Sequence, residues 1–158
     1  MDDRTIPARR RGSGTRYQDD LYTWALEQAA LLRAGKVAEA DALNIAEELD
    51  DVGNEQYDKL ESALRVILLH LLKWDHQPQR RSRSWHLSIA VHRKHVLKVL
   101  RKNPGLKSVA EEAMTEAYET ARLEAAAQTS LEEESFPVDC PYSWDTVMDR
   151  PVLWPPKD

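Results

Sequence analysis

An apolar stripe with the spacing of an α-helix runs through more than thirty residues and constrains this chain more than any other feature. Apolar side chains recur in steps of three and four over residues 42–52, and the rhythm resumes over residues 57–74. The face widens over residues 67–72, which predicts that this segment lies at the centre of the core. Pro78 ends the pattern, because proline disfavours helical geometry in the residue before it. One long helix with a weak point at Gly53 and two helices meeting there fit equally well.

Capping residues predict one helix before this stripe and one helix after it. A first helix is expected to start at Asp19, a good N-cap, and to stop at Gly35. It carries one apolar stripe over residues 21–32. A third helix follows the long stripe, with its N-cap at Ser82 or Ser84.

The C-terminal third of the chain combines a further helix with a tail rich in proline and large apolar residues. The third helix ends at the helix-breaking sequence 103–105, and a fourth helix is expected over about residues 106–128. Residues 130–158 hold five of the eight prolines, and their apolar content is too high for free coil. The apolar group comprises Phe136, Tyr142, Trp144, Val152, Leu153 and Trp154. Ser143 can cap a short helix there. We therefore expect an all-α bundle of four main helices with a Pro- and Trp-rich C-terminal tail packed on it.

Length and composition fit one globular domain. The chain has 158 residues, of which 42% are apolar and 31% charged. We expect a flexible basic tail over residues 1–16 and a single helical domain over residues 17–154. The sequence has no run of about 18 apolar residues, so we expect no membrane span. The single cysteine, Cys140, is interpreted as a packed hydrophobe rather than a reactive thiol, and it fits a reducing, cytoplasmic compartment.

Four stretches of the sequence share their order and spacing with a known family. They are Trp24, Gln28, Leu31, Leu32 and Gly35; residues 44–49; residues 68–74 with Gln77, Pro78, Arg81, Ser84 and Trp85; and Phe136, Pro137 and residues 140–143. In these stretches the chain resembles the bacterial family catalogued as domain of unknown function 29. The resemblance covers roughly residues 17–154 and leaves the basic N-terminal end outside it. It implies a helical bundle from a bacterial protein, and it implies no activity, because none is assigned to the family.

Positive charge is concentrated in one part of the chain. Residues 73–107 carry ten Lys or Arg and one acid, whereas residues 1–72 and 108–158 have net charges of −5 and −9. The candidate anion- or nucleic-acid-binding residues are Arg80, Arg81, Arg83, Lys94, Lys98 and Arg101. The three arginines precede or begin the third helix, where backbone N–H groups lack partners. Cations beside such groups are a common way to build a phosphate site.

The same cations have an internal alternative. Acidic side chains over residues 111–119 open the fourth helix, and others lie over residues 47–55. We favour neutralisation within the fold over a nucleic-acid site for two reasons. The chain as a whole has a net charge of −5, and it has no binding motif in which aromatic and basic residues alternate.

Three histidines are weak candidates for a metal site. His92 and His95 share a helix face, but the third helix contains no acid. His70 lies in an apolar helix, and the acids at residues 47–48 reach it only if the chain folds back near Gly53. The sequence lacks the Glu-x-x-His pairs of helical di-metal proteins, and one cysteine cannot build a cysteine-based zinc site. We expect no metal and no cofactor, and interpret His70 as a packed histidine with one satisfied hydrogen bond.

Motifs of catalysis are missing from the sequence. No serine lies in a Gly-x-Ser-x-Gly elbow, and no glycine-rich loop could hold a phosphate. We therefore favour a non-enzymatic helical binding or interaction module, with a homodimer or another protein as its partner. The first alternative is a nucleic-acid or phosphate-ligand binder that uses residues 80–102. The second is an enzyme of unspecified class.

Overall fold

Helices make up most of residues 14–155, the part of the chain that the computed structural model describes. Its α-helices in this range are α1 (Leu21–Arg33), α2 (Ala42–His76), α3 (Arg83–Lys102), α4 (Ala110–Thr129) and α5 (Trp144–Asp149). Short 3-10 turns join them, and no strand occurs between residues 14 and 155. The predicted all-α class with four main helices is confirmed. The predicted flexible basic tail falls mainly on residues 1–13, which lie outside the described residues.

The helix α2 is continuous and settles the question that the sequence left open. It extends over 35 residues and passes through Gly53 without a break. A glycine inside a helix costs about 1 kcal/mol relative to alanine, which the helical residues on both sides outweigh. A β-carbon at Gly53 would meet nothing within 4 Å, so packing does not require glycine there. The helix ends at His76, two residues before Pro78, as the proline predicted.

Side-chain caps set the helix starts at or next to the predicted residues. Asp20, rather than the predicted Asp19, caps α1 through its carboxylate. Asp19 is occupied one residue earlier, where it forms an ion pair with Arg16 at 2.6 Å. Ser82, one of the two candidates for the third helix, caps α3, and Ser143 caps α5 as predicted.

The chain divides into two compact units, Met1–Val52 and Gly53–Asp158. The hydrophobic core lies in the second unit. At its centre are six α2 side chains with no exposed surface: Leu60, Leu64, Ile67, Leu68, Leu71 and Leu72. The helices α3 and α4 complete the core with buried Ile89, Val96, Ala113, Ala117, Ala121 and Ala125. The line of alanines on α4 allows neighbouring helices to approach closely.

The C-terminal tail packs on the second unit, as its apolar content predicted. The tail residues in the buried core are Phe136, Tyr142, Val147, Met148 and Val152. Leu153 and Trp154, which belong to the same apolar group, remain exposed by 49% and 40%. The tail thus contributes to the core up to Val152 and not beyond it.

Two side chains of the tail bind the carboxylate of Asp75 near the end of α2. The Asp75 carboxylate accepts a hydrogen bond from the Tyr142 hydroxyl at 2.8 Å. Both terminal nitrogens of Arg150 donate to the same carboxylate at 3.0 Å. This bidentate geometry is the stronger form of an arginine–carboxylate pair. Asp75, the one acid in the basic part of the chain, is therefore committed to structure.

Polar contacts, more than an apolar core, hold the described part of the first unit, residues 14–52. Trp24 is its one buried side chain in that range, and its indole N–H donates to Asp41 at 3.2 Å. The Asn44 side-chain amide donates to the same carboxylate at 2.7 Å, and the Asp41 backbone N–H donates to Gln28 at 2.8 Å. Asp41 thus joins α1 to the start of α2.

Large apolar side chains on the first unit are open to solvent. The exposed residues are Leu21, Tyr22, Leu26, Leu32, Val37, Leu43, Leu49 and Val52. The stripe predicted over residues 21–32 is therefore only partly used, with Trp24 buried and Leu31 half-buried. On α2 the exposure of the apolar stripe differs strongly between its two parts. The stripe has no exposed surface at Leu60 and Leu64, yet Leu49 is 65% exposed.

Candidate functional site

The helix α3 has two faces of opposite character. Its inner face buries Ile89, Val96 and Leu100 against the core of the second unit. On its outer face Leu87 and Val91 are exposed by 45% and 46%, in the middle of a helix with six Lys or Arg and no acid. A helix that buries one stripe and leaves a second apolar group exposed has surface available for a partner.

The exposed residues of this outer face follow helical steps of three and four. They are Arg83, Leu87, Val91, Lys94, Lys98 and Arg101, and we call them the α3 outer stripe. Arg80 precedes them, exposed at the end of a 3-10 turn. Cations therefore lie at both ends of the stripe, and two apolar side chains lie between them. The structure brings four of the six predicted basic candidates, Arg83, Lys94, Lys98 and Arg101, to one exposed side of α3, and it leaves Arg80 exposed in the preceding turn.

Within the described part of the chain this surface forms no ion pair, although Glu55 and Asp58 line one cleft with Lys98. In the chain between residues 14 and 155, no carboxylate oxygen lies within 4.0 Å of a cationic nitrogen of Arg80 or the α3 outer stripe. The acids of α4 that were expected to face α3 are engaged elsewhere or exposed. Glu116 accepts from the Tyr57 hydroxyl of α2 at 2.8 Å, and Glu111, Glu112 and Glu119 are exposed.

Two arginines of the basic segment have structural partners instead. The Arg81 Nε donates to the Trp74 carbonyl oxygen at 2.9 Å, and its guanidinium lies 5.1 Å from the centre of that indole ring. The half-buried Arg93 donates through Nε to the Val147 carbonyl oxygen at 2.8 Å, near the end of α5. Arg81, the sixth basic candidate, therefore belongs to the scaffold rather than to the exposed surface.

Adjacent arginines should respond differently to substitution. Arg81→Ala should lower the free energy of unfolding by about 1–3 kcal/mol, since it removes a charged hydrogen bond from a helix-end carbonyl and a cation–π contact. Arg80→Ala should change it by less than about 0.5 kcal/mol, because this side chain is exposed. Urea unfolding of both variants measures the difference. Equal effects at the two positions would show that the contacts of Arg81 are not stabilising.

The three histidine candidates do not assemble a metal site. The rings of His92 and His95 lie 5.2 Å apart between centroids, and the Nδ1 of His92 is within 2.8 Å of the Ser88 carbonyl oxygen. His70 is half-buried, and its Nδ1 is 2.8 Å from the Val66 carbonyl oxygen. Because α2 is continuous, the acids at residues 47–48 lie many turns away from His70. Between residues 14 and 155, no three His, Cys, Asp or Glu side chains group closely enough to hold a metal ion.

His70 should make stability depend on pH. Burial lowers its pKa from the usual 6.5, and nearby Lys73 and His92 lower it further. At acidic pH the unfolded chain then binds more protons than the folded one. The contribution of neutral His70 to the free energy of unfolding is therefore fully present above about pH 6.5 and is lost as the pH falls below that value. His70→Gln should reduce that loss, whereas the exposed His95→Gln should retain it. Thermal unfolding between acidic and neutral pH measures both, and identical profiles for wild type and His70→Gln would contradict the assignment.

Two other titratable groups are packed inside the second unit. Lys73, which the sequence did not single out, is only 9% exposed. Its Nζ donates to the Gln128 side-chain oxygen at 3.0 Å and lies 4.7 Å from the centre of the Trp85 ring, and burial lowers its pKa. Cys140 is half-buried, and burial raises the pKa of its thiol. A raised pKa disfavours the thiolate and supports the interpretation of Cys140 as a packing residue.

Comparison with family models gives one match that spans nearly the whole chain. The model described as "Domain of unknown function DUF29" matches residues 16–153. The chain belongs to the DUF29 family. Searches of curated proteins and of solved structures each gave no significant match. Within residues 14–155 of this DUF29 protein, no helix has both the length and the apolar content needed to cross a membrane.

Residues that carried the resemblance to DUF29 have mainly architectural contacts. Gln28 accepts from the backbone at the start of α2, and the buried Gln77 donates to the Thr129 carbonyl oxygen at 3.0 Å. The Tyr142 hydroxyl binds Asp75. The exposed cations Lys94 and Lys98 lie outside the stretches that carried the resemblance. The residues quoted for the resemblance therefore mainly support the fold, and Lys94 and Lys98 are not among them.

Proposed function

We propose that this DUF29 protein is a non-enzymatic binding module that uses the α3 outer stripe to hold an acidic protein surface. One observation carries the proposal, namely that the cations of this stripe have no carboxylate partner within residues 14–155 while two leucine- and valine-sized side chains lie exposed between them. A bacterial, cytoplasmic setting is part of the same proposal. The single cysteine and the family resemblance support it.

The mixed character of the stripe favours a protein over other anions. Leu87 and Val91 occupy its middle, where burial against a partner supplies about 25 cal/mol per Å² of apolar surface. Lys94, Lys98 and Arg101 can then select and orient a partner by charge, which acts mainly on specificity and association rate. A phosphate backbone would use the cations and leave the apolar pair without a contact. Nucleic acid remains the alternative outcome of the test below.

A photo-crosslinking residue in place of Val91 tests the proposal directly. The full chain, expressed in its source cells and irradiated, should crosslink to acidic protein surfaces. Lys94→Glu/Lys98→Glu in the same background should abolish those crosslinks, because like charges would then face each other. The matched control is Lys36→Glu/Lys107→Glu, which makes the same charge change at two exposed positions outside α3. The control should crosslink like the parent chain.

Three results would overturn the proposal. Crosslinks to nucleic acid that weaken steeply with salt would support the alternative binder. Crosslinks that persist in Lys94→Glu/Lys98→Glu would show that the cations do not recognise the partner. A crosslink-free chain with an unchanged fold would show that the stripe is simply a solvated surface.

A further inference from the structure

A cleft runs between α2 and α3 within the second unit. Its volume is about 730 Å³, which lies in the usual range for a small-molecule site. The apolar lining residues Ala63, Val66 and Val99 are buried or half-buried, whereas the lysines and acids of the lining are exposed. The cleft therefore has an apolar floor and charged rims, and we call it the α2–α3 cleft.

Groups that can carry positive charge outnumber acids in the lining of the α2–α3 cleft. The ionisable lining residues are Glu55, Asp58, Lys59, Arg65, His92, His95, Lys98 and Lys102. Lys59 pairs with Glu55 at 2.6 Å. Arg65 pairs with Glu124 of α4 at 2.5 Å. The two cations on the α2 side are therefore neutralised within the fold.

The two lysines on the α3 side have no such partner. Lys98 and Lys102 lie one helical turn apart and form no ion pair within the described part of the chain. Lys59 lowers the pKa of Glu55, and Lys102 adds to that effect from a longer distance. Asp58 is the one lining acid without an ion pair between residues 14 and 155. Two unpaired ammonium groups thus share the cleft with one unpaired carboxylate.

Two imidazoles of α3 add further donors to the same wall. The rings of His92 and His95 meet edge to face, with 5.2 Å between their centroids. The Nδ1 of His92 lies 2.8 Å from the Ser88 carbonyl oxygen. A carbonyl oxygen only accepts hydrogen bonds, so Nδ1 donates to it and Nε2 is the nitrogen available to a ligand. A protonated imidazole donates through both nitrogens, which suits an anion.

From this lining we infer that the α2–α3 cleft binds a small phosphate ester with a hydroxyl-bearing body. Lysine binds phosphate as a point charge, and the cleft offers two such lysines beside the imidazoles. Asp58 and Ser62 can form hydrogen bonds with the hydroxyl groups of the body. Among the described residues that line the cleft, none is Trp, Tyr or Phe. The cleft therefore lacks the aromatic platform on which a nucleobase usually stacks.

This inference does not depend on the proposed function. The α2–α3 cleft and the α3 outer stripe have only Lys98 in common. Substitutions that avoid Lys98 therefore test the cleft without changing the stripe. His95 and Lys102 are exposed lining residues of this kind.

Isothermal titration calorimetry on the full chain tests the inference. Wild type should bind glucose 6-phosphate with a Kd of about 1 mM or below, and it should not bind glucose, which has the same body without the phosphate. Lys102→Gln and His95→Gln should each weaken binding about 10-fold, because each removes one charge-assisted hydrogen bond. Lys102→Arg keeps the charge and should retain most of the binding. Lys107→Gln, at an exposed position outside the cleft, is the matched control and should bind like wild type.

The possible outcomes decide both the location and the chemical class of the ligand. Changes in the imidazole NMR signals of His92 and His95 on addition of glucose 6-phosphate would support the assigned cleft. Wild type that binds none of inorganic phosphate, glycerol phosphate and glucose 6-phosphate overturns the inference. Binding that survives both Lys102→Gln and His95→Gln places the ligand elsewhere and also overturns it. Tighter binding of AMP than of glucose 6-phosphate overturns the assigned class.

The two proposals fail separately. The crosslinks expected from Val91 depend on Lys94 and Lys98, and Lys102→Gln leaves both of these residues in place. Loss of phosphate binding in Lys102→Gln with unchanged crosslinks would therefore support the cleft as a second, independent site. Circular dichroism of each variant checks that the substitution has not unfolded the second unit, as expected for exposed positions.

Discussion

Leu68→Ala or Leu71→Ala should lower the free energy of unfolding by about 2–5 kcal/mol, the usual cost of removing a core leucine. Neither side chain has any exposed surface, and both lie at the centre of the second unit on α2. Each truncation removes buried apolar atoms and leaves a cavity that the surrounding helices fill only in part. Urea unfolding followed by circular dichroism measures the effect, and the helical signal should remain.

The same helix supplies a matched control. Leu43 is 85% exposed on α2, so Leu43→Ala makes the same chemical change with no burial to lose. It should alter the free energy of unfolding by less than about 0.5 kcal/mol. A loss below about 0.5 kcal/mol at both core leucines would place the core elsewhere, because truncating a buried leucine usually lowers the free energy of unfolding by about 2–5 kcal/mol.

Phe136→Ala should cost about 3–5 kcal/mol, although this residue lies in the tail rather than in a main helix. Phe136 is 1% exposed, and its ring centre lies 4.7 Å from that of His76 at the end of α2. Its carbonyl oxygen also accepts a hydrogen bond from the Arg122 Nε on α4 at 3.1 Å. Removal of the ring should therefore loosen the start of the tail as well as empty its pocket.

Two measurements separate packing from a general loss of stability. Chemical unfolding gives the energetic cost, and limited proteolysis reports whether the tail near residues 136–142 becomes accessible in the folded protein. Val138→Ala, at a side chain that is 77% exposed, is the control and should change neither. A Phe136→Ala variant as stable and as resistant as this control would show that the tail is not anchored through its aromatic ring.

The helices could be predicted because their determinants are local. Periodic apolar residues, side-chain caps and Pro78 each act within a few residues, and α2, α3 and α5 follow them closely. The errors are also local. Asp19 and Asp20 are equally good caps by type, and Arg16 engages the first. The fourth helix starts later than expected, because residues 104–109 form a 3-10 segment after Pro104 before α4 begins.

The partners of charged and apolar side chains could not be predicted, because they depend on contacts between distant segments. Acids over residues 111–119 of the fourth helix were expected to pair with cations of the third, yet Glu116 binds Tyr57 of α2 instead. Arg80 and Arg81 are identical by type, and only the carbonyl of Trp74 distinguishes them. A stripe of constant spacing gives no sign of where burial stops. The exposure of Leu49 and Val52 on α2 could therefore not be predicted from the sequence.

The enclosed amine of Lys73 makes this residue an internal probe of folding. An amine-reactive reagent applied to the native protein should modify the exposed Lys94 and Lys98 quickly. Lys73 is held between Gln128 and the Trp85 ring, so it should react only when the helices around it separate. Its rate of acylation, compared with that of Lys98 in the same sample, then reports the opening equilibrium of the second unit without any denaturant. The protein thus contains its own reference and reporter among chemically identical groups.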